Sequence, residues 1–298
     1  MNDTALLLSG RLGSWPYSLP TLLANLAVPS RADVFLVTSW RNTLRKRTAL
    51  GVELREESIV PSSHIMEIQA LLGPFLKGIL FIEDMPLADQ LEVAHDRRLM
   101  AQAIAAYQAE NVVKRLPPPC EGNNVPPEDA GIGYVVEQYH RARLCFELMQ
   151  RYEAHQRGCP YAYVMRARPD FILDWKWDLR KWVDEDPGSV YVCGSVRGNV
   201  ALDEMEWADD FCWFSGRAVA EQLFPKLRRM GLITNRAHNT YNPTQKRDYV
   251  FAPETQFSLL LYELDLPVRG LKIYRLRHYT PGGDGFEYMN YKFGELVL

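Results

Sequence analysis

Short apolar runs alternate with segments of helical spacing along the first part of the chain. TALLLSG, from Thr4, is a brief apolar run closed by a turn. SLPTLLANLAV, from Ser18, sets its leucines at helical intervals with a proline near the start, and ADVFLVTSW, from Ala32, is a second apolar run ending in polar residues. The pattern predicts a β-α-β unit. GILFIED, from Gly78, is a further strand candidate, and a long helical run extends from about Pro86 to Lys114. The prolines and Gly-Asn-Asn of LPPPCEGNNVPPEDAG break that run, marking either a hinge or a mobile loop. A second long helix, roughly Tyr134 to His155, leads into YAYVMRARPDFIL, and SVYVCGSV and DDFCWFSG supply later strands. Helices follow from about Arg217 to Met230 and again from PETQFSLLLYEL.

Strands alternating with helices predict an α/β fold with a mainly parallel central sheet covered by helices on both faces. In open sheets of that kind, ligands lie beyond the carboxyl ends of the strands. SGR, TSW and RPD would all fall there, so polar strand ends meet at one crevice. YAYVMRARPDFIL is the informative segment, because Arg166, Arg168 and Asp170 interrupt a run that otherwise reads as a strand buried on both faces. Charge in such a place is costly unless it emerges at the strand end and meets an oppositely charged group, which points to a ligand. The competing structural reading is an ion pair that caps the strand.

Composition narrows the function classes. The chain has 298 residues, 47% hydrophobic and 24% charged, enough for a substantial core as one large domain or two intimate lobes. A formal charge of −3 with no basic stripe argues against a nucleic-acid partner. The N-terminal MNDTALLLSGRLGSWPYS lacks a basic lead-in and reads as a first strand rather than a signal peptide, and no run reaches membrane-spanning length. Five dispersed cysteines without a C-x-x-C pair fit a reducing cytoplasmic setting and not a zinc site.

In order along the chain, LLLSGRLGSW, ADVFLVTSW, YHRARLCFELMQRYEAHQRGCPYAYVMRARPDFIL, DDFCWFSG and APETQF resemble nucleotide-sugar glycosyltransferases with a GT-A fold, a group found in polysaccharide synthesis and in large DNA viruses. The resemblance implies a single domain with a nucleotide-binding half of about residues 1–175 and an acceptor and catalytic half of about 176–298, a nucleoside diphosphate sugar donor with uridine as the base, and a glycan hydroxyl acceptor. It places Ser9, Gly10 and Arg11 beside the nucleotide, and Thr38 and Trp40 against its base or ribose. Asp170 would hold Mg²⁺ or Mn²⁺ against the phosphates, with Arg166 or Arg168 contacting the same oxygens, an arrangement that suits the charge of a departing diphosphate. RPD supplies one aspartate where similar enzymes carry D-x-D. A literal D-x-D at Asp184-Glu185-Asp186 adjoins a Pro-Gly turn and reads as a solvated loop.

The same resemblance puts Asp209, Asp210, Ser215 and Gly216 along the donor sugar and acceptor, with Asp209 or Asp210 accepting hydrogen bonds from sugar hydroxyls. Glu254, in APETQF, takes the place of the catalytic base that an inverting transfer needs, although Pro-Glu also suits a first helical turn on its own account. In a retaining transferase the weight shifts to Asp209 or Asp210. His278 joins the metal or the phosphates, and the Gly-Gly-Asp-Gly turn after it forms a lid. A carbohydrate- or nucleotide-binding protein without turnover is the alternative. A Rossmann-type oxidoreductase is set aside, since SGRLGSW lacks G-x-G-x-x-G spacing.

Overall fold

The computed structural model describes residues 2–13, 15–47, 53–83, 105, 109, 131–173, 176–193, 195–196, 207–208, 210–230, 241–242, 247–248, 252–271 and 275–277. The helical run from Pro86 to Lys114 lies outside these residues save for two helical positions, and the proline-rich break and the Gly-Gly-Asp-Gly turn lie outside them entirely. The expected β-α-β start is present as β1 (Thr4–Ser9), α1 (Trp15–Leu22, continued by a π-turn through Leu23–Ala27) and β2 (Ala32–Ser39). A hairpin of β3 (Arg41–Arg47) and β4 (Glu53–Ile59) follows, then α2 (Ser62–Leu72) and β5 (Leu76–Ile82). Sequence periodicity did not single out the hairpin, because RNTLRKR and ELREESI are mostly polar and charged.

Helix α3 (Gly131–Tyr152) leads into β6 (Tyr163–Ala167), a turn, and the short β7 (Phe171–Leu173). Beyond them come α4 (Arg180–Glu185), β8 (Val190–Cys193), the two-residue β9 (Ser195–Val196) and β10 (Trp207–Ala208), β11 (Cys212–Gly216) and α5 (Arg217–Leu223). The two-residue β12 (Tyr241–Asn242) and β13 (Arg247–Asp248), then α6 (Pro253–Glu263), β14 (Val268–Leu271) and β15 (Arg275–Arg277), complete the described elements. Asp184 and Glu185 of the literal D-x-D end α4 rather than lying in a loop. Asp184 accepts a hydrogen bond from the Tyr163 hydroxyl, and Asp186 pairs with Ser189 and Arg269.

Seven strands form the central sheet in the order β14-β8-β11-β6-β1-β2-β5. Strand β1 pairs in parallel with both β2 and β6, β2 with β5, and β8 with β14; β11 runs against both of its neighbours. The protein is therefore a mixed α/β structure with a mostly parallel sheet flanked by helices. Alternation along each strand divides the core. Ala5, Leu7, Phe35, Val37, Val164 and Trp213 face α3, α5 and α6, whereas Leu6, Leu8, Val34, Leu36 and Met165 face α1, α2 and α4. Full burial of one such leucine contributes about 1.5–3 kcal/mol, so both layers are strongly specified. No helix among the described residues is long and apolar enough to cross a membrane.

Arg166 interrupts this apolar order. It lies between Leu7 and Trp213 in the ladder and is 0% exposed. Its Nε donates to Ser9 Oγ at 3.0 Å, one terminal nitrogen donates to the Ser9 carbonyl at 3.4 Å, and the other donates to the Asp210 carbonyl. Burial pushes the guanidinium pKa down, and the nearby Asp210 carboxylate opposes that shift. Replacing Arg166 with methionine strips Ser9 and the Asp210 carbonyl of their shared donor. The expected loss is about 3 kcal/mol, read from the urea midpoint at unchanged slope.

Candidate functional site

The parallel strands deliver their carboxyl ends to one edge of the sheet, and the antiparallel β11 begins there. Ser9-Gly10-Arg11, Thr38-Ser39-Trp40, Arg168-Pro169-Asp170 and Asp210-Phe211 therefore share that edge. The first turn is shaped around the third. Gly10 has φ 146°, and a Cβ there would stand 3.2 Å from Pro169 Cδ. Gly13 has φ 52°, and its Cβ would stand 2.9 Å from the Asp170 Cβ. Both glycines thus admit a close approach between the β1 turn and the β6 turn, in backbone conformations other residues rarely adopt.

The β6 turn is fixed at the backbone. The Arg168 N–H donates to the Phe211 carbonyl at 2.9 Å, the Phe171 N–H to the Arg168 carbonyl at 3.3 Å, and the Ser18 hydroxyl to the Pro169 carbonyl. Above this backbone the Arg168 guanidinium grips the Asp170 carboxylate with two parallel bonds, Nε to Oδ1 at 2.9 Å and a terminal nitrogen to Oδ2 at 2.7 Å. The guanidinium also lies 4.5 Å from the centre of the Phe211 ring. The two side chains remain 17% and 28% exposed.

Asp210 is buried. Its Oδ2 accepts a short hydrogen bond from Gln138 Nε2, while Oδ1 is buried without a hydrogen-bond partner among the described residues. Next to Gln138 on α3, the Tyr139 hydroxyl donates to the Pro253 carbonyl at 3.0 Å. Consecutive residues of α3 thereby hold Asp210 and the first turn of α6, which carries the half-buried Glu254. At the other side of the edge, Trp40 is 39% exposed and tilts over Phe81 with ring centres 4.7 Å apart. Thr38 is buried, and its Oγ1 has no hydrogen-bond partner among the described residues.

Several sequence expectations meet a different geometry. Arg166 does not stand at the strand lip for a ligand; it is an internal clamp with its hydrogen bonds inside the protein, and Ser9 is one of its acceptors. Ser215 and Gly216 lie at the opposite edge, opposite Val164 and Tyr163, because β11 runs antiparallel. The five residues of β6 span about 13 Å, which separates them from Arg168. Asp209 and His278 lie outside the described residues. Gln138, Phe211, Phe81 and Gly13 escaped the sequence reading. Gln138 alone left a sequence signal, as an amide on the helix face that also carries Ala142, Cys145 and Met149.

No family profile matches the chain, and no curated protein does. Among solved structures, mouse xyloside xylosyltransferase 1 in its apo form aligns over 91% of this chain and 85% of that one, at 10% identity and a TM-score of 0.38. A likeness that slight carries no conclusion about activity.

The fit between the two turns is testable. Gly13→Ala combines an unfavourable φ with a clash at Asp170, whereas Gly158→Ala, at φ 79°, meets nothing within 4 Å. Gly158→Ala is expected to lose about 1 kcal/mol and Gly13→Ala about 2–3 kcal/mol in denaturant unfolding.

Proposed function

We propose that the protein is a glycosyltransferase that moves a sugar from a nucleoside diphosphate sugar, with uridine as the base, to a glycan hydroxyl. The observation that carries this reading is the shared strand-end edge: a glycine-lined turn after β1, an exposed aromatic after β2, a partly exposed Arg168–Asp170 pair after β6 and a buried carboxylate ahead of β11. These features suit, in turn, the close approach of phosphates, stacking of a base or sugar, diphosphate charge and sugar hydroxyls. The sequence resemblance to GT-A enzymes supports the same reading.

Arg11 and Arg168 contact the diphosphate, and Trp40 stacks on the base or ribose. Among the described residues no group of three or more His, Cys, Asp or Glu gathers as a metal cage. A divalent ion bound through one carboxylate and substrate phosphates needs no such cage, and the accessible Asp170 carboxylate suits that role. Mg²⁺ or Mn²⁺ there would neutralise charge on the leaving diphosphate. Asp210 Oδ1, held ready by the Gln138 contact to its twin oxygen, accepts a hydrogen bond from a sugar hydroxyl. For inversion, Glu254 takes the acceptor proton as the new glycosidic C–O bond forms and the anomeric carbon–phosphate oxygen bond breaks.

A binding protein without turnover is the second reading, favoured by the mutual neutralisation of Arg168 and Asp170. Release of free nucleoside diphosphate from a panel of nucleotide sugars separates the two, since a pure binder releases none. Glu254→Gln is expected to keep donor binding in a thermal-shift titration and to lower transfer about 100-fold or more. Full transfer by that variant would remove Glu254 from the chemistry.

A further inference from the structure

We propose that Arg168 and Asp170 form a charge latch that closes the diphosphate site until a phosphate ligand and a divalent cation arrive together. The inference rests on the reading that a nucleoside diphosphate binds at this turn. It begins from the contrast between a fixed backbone and a movable ion pair. The carbonyls and amides of the turn are tied to Phe211, Phe171 and Ser18, and Gly10 leaves no slack beside Pro169. The turn therefore stays in place when its side chains change partner. The pair itself is partly exposed, a setting in which ion pairs contribute little to folding.

The guanidinium fork that would grip two phosphate oxygens already grips two carboxylate oxygens, at 2.9 and 2.7 Å. Carboxylate and phosphate are the two anions that this planar fork fits, so Asp170 occupies Arg168 much as a ligand would. The Phe211 ring beneath the guanidinium holds its plane. A diphosphate arriving alone must displace a tethered carboxylate and then face its negative charge. A cation arriving alone must draw that carboxylate from an arginine. When both arrive, Arg168 passes to the phosphate and Asp170 to the cation, and every charge keeps a partner. Binding of the two ligands is then cooperative, and each raises the affinity for the other by the same factor.

Isothermal titration of UDP, with GDP, CDP and dTDP in parallel, tests this with and without Mn²⁺. The wild-type protein is expected to bind its nucleotide about tenfold or more tightly with Mn²⁺. Asp170→Asn should raise the affinity measured without metal to within about threefold of the wild-type value with Mn²⁺, and Mn²⁺ should then add nothing. In an Arg168→Gln background the gain from Asp170→Asn should vanish, because the fork it releases is gone. Asp170→Ser serves if the asparagine variant does not fold, as judged by its melting curve. An Asp170 variant that loses the Mn²⁺ effect without gaining metal-free affinity overturns the latch and leaves the nucleotide site standing. A gain that persists in the Arg168→Gln background also overturns it, since plain repulsion would then be the cause. Absence of nucleotide binding to the wild-type protein under either condition removes both proposals.

Discussion

A guanidinium in an apolar core holds the carboxyl edge of the central sheet together. Arg166 spans from the end of β1, through both the hydroxyl and the carbonyl of Ser9, to the carbonyl that precedes β11. A charge so deep is tolerated only where its donors are satisfied and an opposite charge stands near, and Asp210 supplies that charge. The consequence is geometric: the turn after β1, the turn after β6 and the lead-in to β11 are tied into one unit. Loss of the clamp would cost stability and release Asp210 from the position that Gln138 completes.

Around this clamp, the charged residues of the edge differ in burial. Arg166, sealed and with each guanidinium nitrogen hydrogen-bonded inside the protein, belongs to the scaffold. Arg168, two residues later, follows the strand's last residue and so reaches solvent, where its fork meets Asp170. The short spacing from Arg166 to Arg168 thus separates an enclosed arginine from a partly exposed one. Asp210 is enclosed like Arg166, with its backbone carbonyl accepting from Arg166 and its carboxylate accepting from Gln138.

Other buried charge serves the opposite edge, where Asp33 accepts from Asn2 at 2.9 Å and from the Tyr161 hydroxyl at 2.7 Å, with Lys77 and Arg157 each 3.8 Å away. Burial and the Asp33 carboxylate push the Tyr161 hydroxyl pKa up, so it stays a donor. The network fastens the chain start, β2 and the approach to β6. It gives the sheet a rigid base, leaving exchangeable polar groups to the carboxyl edge, where ligands of open α/β sheets sit.

Periodicity alone determined the α/β class, the first β-α-β unit, the long α3 and the presence of polar residues at strand ends. Those features follow from burial, which each short window of sequence records through its spacing of apolar residues. Strand direction is different. TALLLSG and DDFCWFSG look alike as apolar runs, yet β11 runs opposite to β1, and that reversal sends Ser215 and Gly216 away from the site while bringing Asp210 into it. The fate of Arg166 and Arg168 was hidden for a related reason, since only the positions of β1, β11 and α3 decide which of two similar arginines is enclosed. Gln138 and Phe211 acquire meaning through partners distant in the chain. Local sequence encodes which face of an element is buried; tertiary packing sets which polar groups meet across elements, because those contacts depend on how the strands are ordered and aligned.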